Sequence, residues 1–441
     1  MLMEPMAPRD GVIILENARL LCPASGRDET GSVLVENGVI AGVGASAGAG
    51  SRAAARVDCQ GHLLIPGLID AQVFTGEPGA EYRETLATAS RAAAAGGVTT
   101  IICEPDTNPV IDDVAIVDYI ERAARATAIV HIHPMAALTK GLAGGEMAEI
   151  GLLKAAGAVA FTNGRHSIAD ARLMRLLLSY TRDLDALVVH FPEDNNLAHG
   201  GVMNEGAVAT RLGLPGIPTA AETIIVDRDV RLAALTGGRY HAATISCEAS
   251  LAVIRNAKAA ALRVTCGVAI NNMALTDVEV GAYRTFFKVK PPLRGEDDRR
   301  AMVEGVARGD IDIIVSNHDP QDVEVKRLPF EEAAYGAVGL ETLLPVALEL
   351  YHAGEIALMP LIAAMTARPA ALFGLPGGRL QEGAPGDLTL VNLNAPWTVN
   401  AKKLRSRSKN SLFDERVFKS RVLRTFVGGQ QVYNDAELAA G

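Results

Sequence analysis

Residues 64–113 read LIPGLIDAQVFTGEPGAEYRETLATASRAAAAGGVTTIICEPDTNPVIDD. An apolar strand is predicted over Leu63–Val73, and a Gly-Glu-Pro-Gly loop that starts at Gly76 follows it. An alanine-rich helix is predicted over residues 81–95, and two glycines separate it from a second apolar strand, Val98–Cys103. This order of strand, helix and strand predicts a βαβ unit.

The composition is that of an acidic protein with enough apolar residues for a large core. The chain has 441 residues, 49% of them hydrophobic, and a formal net charge of −9 at pH 7. This charge argues against nucleic-acid and membrane binding. No apolar run approaches the roughly 20 residues that span a bilayer, and residues 1–11 lack a secretion-signal pattern. The five cysteines are scattered without a C-x-x-C pair, which predicts reduced thiols in a cytoplasmic protein.

From residue 63 onward, eight apolar strand candidates alternate with helical patterns. Short continuous apolar strands between helices are typical of a parallel barrel whose strands are buried on both faces. We therefore predict an α/β fold, a (β/α)8 TIM-like barrel, with functional side chains at the carboxyl ends of the strands. The predicted strands are Leu63–Val73, Val98–Cys103, Ala128–Ile132, Ala158–Thr162, Ala186–His190, Tyr240–Ile245, Arg263–Ala269 and Ile311–Ser316.

Strand signals also occur at both ends of the chain. Residues 32–43 predict a hairpin around Asn37-Gly38, and residues 422–433 predict another around Gly428-Gly429. Neither set of strands has enough core to stand alone. We predict that residues 1–62 and 376–441 form one composite β-sandwich domain beside a barrel of residues 63–375. The Gly/Ala/Ser-rich segment 45–55 is predicted to be a surface loop.

These patterns resemble the dihydroorotase branch of the amidohydrolase superfamily over nearly the whole chain. The resemblance implies an amidohydrolase-like barrel that hydrolyses a cyclic amide, with zinc held by histidines and a bridging carboxylate. In such sites zinc activates a water molecule, and a carboxylate at the eighth strand end takes the proton. The motifs that carry the resemblance are PGLID at 66–70, EPG at 77–79, GIP at 216–218, PPLR at 291–294 and GLET at 339–342.

The resemblance places zinc ligands at five positions, and only His190 keeps its ligand. Gln72 and Phe74 replace two histidines of the first strand, Asn163 replaces the bridging carboxylate of the fourth, and Thr244 replaces a histidine of the sixth. Glutamine is a poor zinc ligand, phenylalanine is none, and asparagine cannot bridge two cations as a carboxylate does. We therefore expect no cofactor, or zinc only if the site has been rearranged.

The positions that the resemblance assigns to proton transfer and substrate binding are also changed. Asn317 replaces the general base next to His318, and an asparagine accepts no proton. Asp319 lies outside the family pattern, and strand alternation predicts that it points away from the site. The substrate-pocket positions are Gly76, where the family has an arginine, Asp106 and Lys290, where it has asparagines, and Gln321, where it has a histidine.

One further histidine pair needs an interpretation. His131 and His133 form the only His-x-His of the chain, and strand alternation puts both rings on one face. The pair lies on the third strand, which is not where the family holds its metal. We therefore favour packing over metal binding for both side chains.

We interpret the chain as a catalytically inactive dihydroorotase homologue. Similar homologues accompany aspartate transcarbamoylase in pyrimidine biosynthesis, so the resemblance implies a structural or regulatory role in a homo- or hetero-oligomer. One alternative is an active dihydroorotase or related cyclic amidohydrolase with a rearranged site, built from His190, His318, Glu193 and Asp319. Another is a binding protein that keeps the pocket for a regulatory ligand.

Overall fold

The computed structural model describes residues 11–48 and 55–435. Residues 1–10 of the N-terminal segment 1–11, which is predicted to lack a secretion signal, lie outside the described residues, and so do residues 49–54 of the predicted surface loop. Within the described ranges, no helix has both the length and the apolar character needed to cross a membrane.

Eight parallel strands form the barrel and confirm the predicted fold class. The third strand continues past Met135 as Ala136–Ala137, which pairs with the fourth. The eighth strand meets the first where the backbone N–H of Ser316 donates to Asp70 Oδ1 at 2.9 Å. The barrel strands are Leu68–Val73, Val98–Cys103, His131–Pro134, Phe161–Thr162, Leu187–His190, Arg239–Ala242, Val264–Ala269 and Ile313–Val315.

A helix follows each barrel strand before the next one begins or, after the eighth, before the terminal sheet. Several of these helices start at a side-chain cap, as at Thr85, Asp113 and Asp170, whose side chains accept hydrogen bonds from the first turn. The eight outer helices are Leu86–Ala95, Val114–Thr127, Ile150–Ala156, Ala171–Asp183, Thr219–Thr236, Glu248–Ala259, Glu296–Arg308 and Leu343–His352.

Shorter elements lie in the connections. Helices occur at Ala207–Leu212, Ile270–Ala274, Val323–Lys326, Leu358–Ala363 and Ala367–Phe373, and two-residue strand pairs join Met203–Asn204 to Gly216–Ile217 and Trp397–Thr398 to Val417–Phe418.

Apolar side chains fill the inside of the barrel. Ile69, Ile102, Val189 and Val315 pack into one buried cluster, and each is at most 2% exposed. The barrel is therefore a packed core, and its chemistry is confined to the side chains at the carboxyl ends of the strands.

Among the residues that the structure describes, those near the two ends of the chain build one eight-stranded sheet. Its strand Leu63–Pro66 pairs with Val12–Cys22 on one side and with Leu388–Asn392 on the other. The other strands of this terminal sheet are Arg27–Glu36, Val39–Gly44, Ala55–Asp58, Arg421–Val427 and Gln430–Asn434.

The predicted strand Leu63–Val73 is two strands in the structure, so this prediction was wrong. The break falls at Gly67, whose N–H donates to Asp387 O at 2.8 Å. A Cβ at this position would lie 2.1 Å from the Thr99 hydroxyl oxygen. Glycine therefore lets the chain pass from the terminal sheet into the barrel at a point where a side chain does not fit.

Candidate functional site

His190 ends the fifth barrel strand, and both of its ring nitrogens are occupied by protein groups. Nε2 accepts a hydrogen bond from the N–H of Ile168 at 2.8 Å, so the proton of the neutral ring sits on Nδ1. Nδ1 lies 2.7 Å from Asp229 Oδ2, and neither side chain is exposed. The Nε2 lone pair that would bind zinc is thus used by the backbone.

The two first-strand positions, Gln72 and Phe74, provide no histidine ligand for zinc. Phe74 is buried, and the guanidinium carbon of Arg83 lies 3.9 Å from its ring centroid. Gln72 has φ +101°, and its Oε1 is buried without a hydrogen-bond partner among the described residues. A cation and an aromatic ring therefore cover this strand end.

Asn163, at the fourth strand end, serves the fold. Its Oδ1 accepts hydrogen bonds from the N–H and hydroxyl of Thr139, at 3.1 and 3.2 Å, and its Nδ2 donates to Thr139 Oγ1 at 2.8 Å. Thr244, at the sixth strand position, is 2% exposed. Asn163 therefore ties two neighbouring loops together, and its side chain has no free oxygen for a metal.

Arg165 is the cation at the centre of the barrel mouth, and sequence reasoning missed it. Its Nη1 lies 2.7 Å from Asp319 Oδ2, its Nη2 donates to Asn317 Oδ1 at 3.2 Å, and its Nε lies 3.7 Å from Glu104 Oε2. Only 18% of its side chain is exposed. One guanidinium thus joins the ends of the second, fourth and eighth strands.

Burial and neighbouring charges shift the pKa values of two carboxyl groups near Arg165, those of Glu104 and Asp106. Burial raises the pKa of Glu104, and the neighbouring charge of Asp106 raises it further. Burial also raises the pKa of Asp106, although the charge of Arg165 opposes the shift. The pKa of Arg165 is raised, because the nearby carboxylates outweigh its burial. The group is thus an ion network whose charges depend on one another.

Arg83 is a second cation that the sequence analysis missed. Its Nη2 lies 2.7 Å from Asp319 Oδ1, and its Nε donates to Pro320 O at 2.9 Å. It lies in the same loop as Gly76, where the family has its arginine. Gly76 itself has φ +71°, and a Cβ there would lie 2.3 Å from Glu84 O, so an arginine would be strained at this position.

The eighth strand ends at Val315, and the residues after it leave strand geometry. Asn317 has φ +53°, and its Nδ2 donates to Lys290 O at 2.8 Å. Because alternation no longer applies, Asp319 points into the mouth and binds both arginines. The prediction that Asp319 points away was therefore wrong. The sequence did contain a signal for these arginines. Glu104, Asp106 and Asp319 are acidic residues at strand ends, and buried carboxylates require a nearby cation.

His318 faces the first-strand loop. Its Nδ1 accepts a hydrogen bond from the N–H of Gly339 at 3.1 Å, which leaves the proton on Nε2. Nε2 lies 3.4 Å from Glu84 Oε2, and neither side chain is exposed. Gln321 is 9% exposed, and its N–H donates to Asn410 Oδ1 at 3.1 Å.

Lys290 is paired across the mouth. Its Nζ lies 2.5 Å from Glu193 Oε1 and 5.0 Å from the ring centroid of Tyr335. A small cleft beside this pair, with an empty volume of about 220 Å³, is lined by Glu193, Thr244 and Arg294 among others.

His131 and His133 lie away from this mouth, at the start of the third strand. His131 Nε2 is 3.2 Å from Asp387 Oδ2 of the terminal sheet. Burial and the neighbouring His131 lower the pKa of His133 to about 4. His131 therefore joins the barrel to the start of the terminal-sheet strand Leu388–Asn392.

The residues present do not fit a zinc centre. No group of three or more His, Cys, Asp or Glu side chains in the part of the chain that the structure describes is arranged to hold a metal ion. The residues of the rearranged-site alternative are already paired: His190 with Asp229, His318 with Glu84, Glu193 with Lys290 and Asp319 with two arginines. The assignment of individual positions to a lost site stays a prediction.

Comparison with known proteins identifies the relatives of this chain. Residues 61–250 match the dihydro-orotase-like family. Dihydroorotases of Ehrlichia canis and Citrifermentans bemidjiense are 42% and 43% identical to the chain; both alignments cover 96% of it and, respectively, 95% and 99% of the relative.

Solved structures show the same fold. L-hydantoinase (dihydropyrimidinase) from Arthrobacter aurescens matches with a TM-score of 0.86 at 24% identity over 96% of each chain. Dihydropyrimidinase from Brevibacillus agri matches with a TM-score of 0.83 at 18% identity over 96% of this chain and 95% of the other. With the full-length identity to dihydroorotases, the chain belongs to the dihydroorotase family of the amidohydrolase superfamily.

Proposed function

We propose that this chain is a dihydroorotase-like protein of pyrimidine biosynthesis that has lost the zinc-dependent hydrolysis and acts as a structural or regulatory partner of aspartate transcarbamoylase. The observation that carries the loss of catalysis is Arg165, a permanent cation held by Asp319, Asn317 and Glu104 at the barrel mouth. A guanidinium balances carboxylates as a metal does, but it binds no water through a lone pair and generates no hydroxide.

Two further observations support this proposal. The Nε2 lone pair of His190 already accepts a backbone hydrogen bond, and Asn317 replaces the residue that would take a proton. Activating water and moving its proton are separate requirements, and neither group can substitute for the other. The partner rests on the family resemblance and on no contact in this chain.

A second candidate is an active dihydroorotase or related cyclic amidohydrolase, and the comparisons favour it more than they favour the first. Relatives that align over nearly their whole length bear the name dihydroorotase. An active site in this chain would have to recruit His190, His318, Glu193 and Asp319. Substrate binding would then have to break the pairs that these side chains make.

Zinc content and turnover distinguish the two candidates. We expect the protein, purified after zinc supplementation, to hold well under one zinc per chain by elemental analysis. Dihydroorotate and carbamoyl aspartate should then react only at the background rate. Tightly held zinc, or a robust rate that disappears in Asp319→Ala and His318→Ala but survives in the exposed control Arg172→Ala, would establish the second candidate instead.

A further inference from the structure

The C-terminal segment 402–409, KKLRSRSK, carries a dense row of positive charge on an acidic protein. Its five basic side chains are exposed, and no acidic residue occurs between positions 401 and 413. The whole chain has a formal net charge of −9, and this segment contributes five positive charges to it. The residues outside the segment therefore carry a formal net charge of −14. We call the five residues the basic ridge: Lys402, Lys403, Arg405, Arg407 and Lys409.

The side chains between the basic residues hold the ridge in place. Leu404 is 7% exposed, and the hydroxyl of Ser406 hydrogen-bonds to the carboxylate of Glu84. The hydroxyl of Ser408 donates to Arg83 O at 2.8 Å. Because these alternate residues are fixed beneath the segment, the basic residues between them point outward in a preformed row. Residues two apart in a chain are at most about 7 Å from each other, so the charges stay closely spaced.

Two ridge cations have no partner of their own. Arg405 pairs with Glu341 and lies over the Tyr433 ring, at 4.8 Å from its centroid. The side chains of Lys402 and Arg407, by contrast, make no hydrogen bond or ion pair with any residue that the structure describes. These two charges are therefore available to a partner at little cost.

The ridge borders exposed apolar side chains. Its anchor Ser408 bonds to Arg83, the neighbour of Tyr82, which is 60% exposed. Asn410, which follows the ridge, accepts a hydrogen bond from Gln321, two residues before Val323, which is 55% exposed. Arginine beside exposed aromatic and aliphatic side chains is the composition of protein–protein contact surfaces.

We propose that the basic ridge docks an acidic segment of a partner protein, in which carboxylates are interspersed with apolar side chains. A nucleic-acid strand is the poorer fit, because no aromatic ring alternates with the basic residues along residues 402–409, so that successive bases have no series of rings on which to stack. The inference goes beyond the proposed function and does not depend on it, since the five basic residues lie outside the emptied site, which the segment contacts through its serine anchors on Glu84 and Arg83.

Fluorescence anisotropy of the full chain with labelled probes tests the proposal. The probes are a short peptide of alternating glutamate and leucine, a lysine–leucine peptide of the same length and single-stranded DNA of the same charge, at physiological salt. We expect saturable binding of the acidic peptide alone. The double variant Lys402→Gln with Arg407→Gln should weaken it about tenfold or more, because two rim charges are lost.

The matched control removes two exposed arginines elsewhere, Arg172→Gln with Arg175→Gln on the helix Ala171–Asp183. This control should bind the acidic peptide within about twofold of the parent. Tighter binding of DNA than of the acidic peptide, equal weakening in both double variants, or an unchanged affinity in the ridge variant would each overturn the proposal.

Discussion

Arg165 carries a charge that would be costly inside the protein if it stood alone. Its guanidinium is held by a 2.7 Å contact to Asp319 and a 3.2 Å hydrogen bond from Nη2 to Asn317, and Arg83 makes a second 2.7 Å contact to Asp319. Two arginines therefore share one carboxylate. Glu104 and Asp106 also lie close enough for their charges to act on the Arg165 guanidinium. Removing a partner from such a group leaves an uncompensated charge, which costs more than the pair contributes.

The Arg165→Met variant should lose about 3 kcal/mol of unfolding free energy near neutral pH, because Asp319 and Glu104 are left in a poorly solvated site. The deficit should shrink as the pH falls. Buried carboxyls with a raised pKa bind more protons folded than unfolded, so the stability of the variant declines as the pH rises. Urea unfolding at about pH 7.5 and about pH 5.5 measures both effects.

The exposed Arg172→Met variant is the control and should change stability by no more than about 0.5 kcal/mol. A loss in Arg165→Met as small as that of the control would show that the network does not stabilise the barrel mouth. A deficit that grows on acidification would show that the carboxyls are not the groups left unpaired.

At the scale of elements, the strands were more predictable than the side chains that meet at their ends. Val98–Cys103 was predicted residue for residue, because a buried parallel strand is a continuous apolar run. Arg165 was missed because it follows Gly164 in a loop with no periodicity. Asp319 was misplaced because the backbone leaves strand geometry at Asn317, and a positive φ in asparagine leaves no mark in the apolar pattern.

We expect that zinc binding at the strand ends can be restored only if Arg165, the cation held by Asp319 and Asn317, is also replaced. The five-residue variant Gln72→His, Phe74→His, Asn163→Asp, Thr244→His and Asn317→Asp should bind no more zinc than the parent, because Arg165 repels a second cation. Adding Arg165→Ala should raise the zinc content measured by elemental analysis. Catalysis should lag behind, because ligands placed about an ångström wrong lose most of the rate.

The control for this series adds Arg172→Ala in place of Arg165→Ala, so that the number of substitutions and the net charge stay the same. Tight zinc binding in the five-residue variant with Arg165 in place would contradict the role given to the guanidinium. Equal zinc content in both six-residue variants would do the same.

The contact between His131 and Asp387 joins the barrel to the terminal sheet and should make stability depend on pH. Burial lowers the pKa of His131, but the charge of Asp387 and the hydrogen bond to it outweigh burial, so the pKa is raised above 6.5. The contribution is therefore complete below about pH 6.5 and is lost as the pH rises through the raised pKa.

The Asp387→Asn variant keeps an oxygen for the N–H of Gly428 but removes the charge. Its stability deficit relative to the parent should be about 1 kcal/mol larger at about pH 6 than at about pH 9, measured by urea unfolding. The exposed Asp297→Asn variant should show no such pH dependence. A deficit that is equal at both pH values would show that His131 and Asp387 are not coupled.

At the scale of the whole molecule, the barrel and the terminal sheet follow the expected architecture, whereas the partner remains a proposal. Mixing the protein with aspartate transcarbamoylase from the same organism should give a larger discrete species by light scattering, with higher transcarbamoylase activity or stability. The ridge variant Lys402→Gln with Arg407→Gln tests whether the basic ridge takes part. Two independent peaks at micromolar concentration, with unchanged activity, would count against the assembly role.

The terminal sheet has a consequence for the order in which the protein is made. The strand Val12–Cys22 is translated before the barrel, yet its Leu15 and Leu20 share a buried cluster with Leu388 and Phe426, which are translated after the barrel. The apolar face of the N-terminal strands therefore stays uncovered while the barrel is synthesised. Such a face is exposed to aggregation during that interval. Limited chaperone supply during synthesis should therefore lower the yield of folded protein.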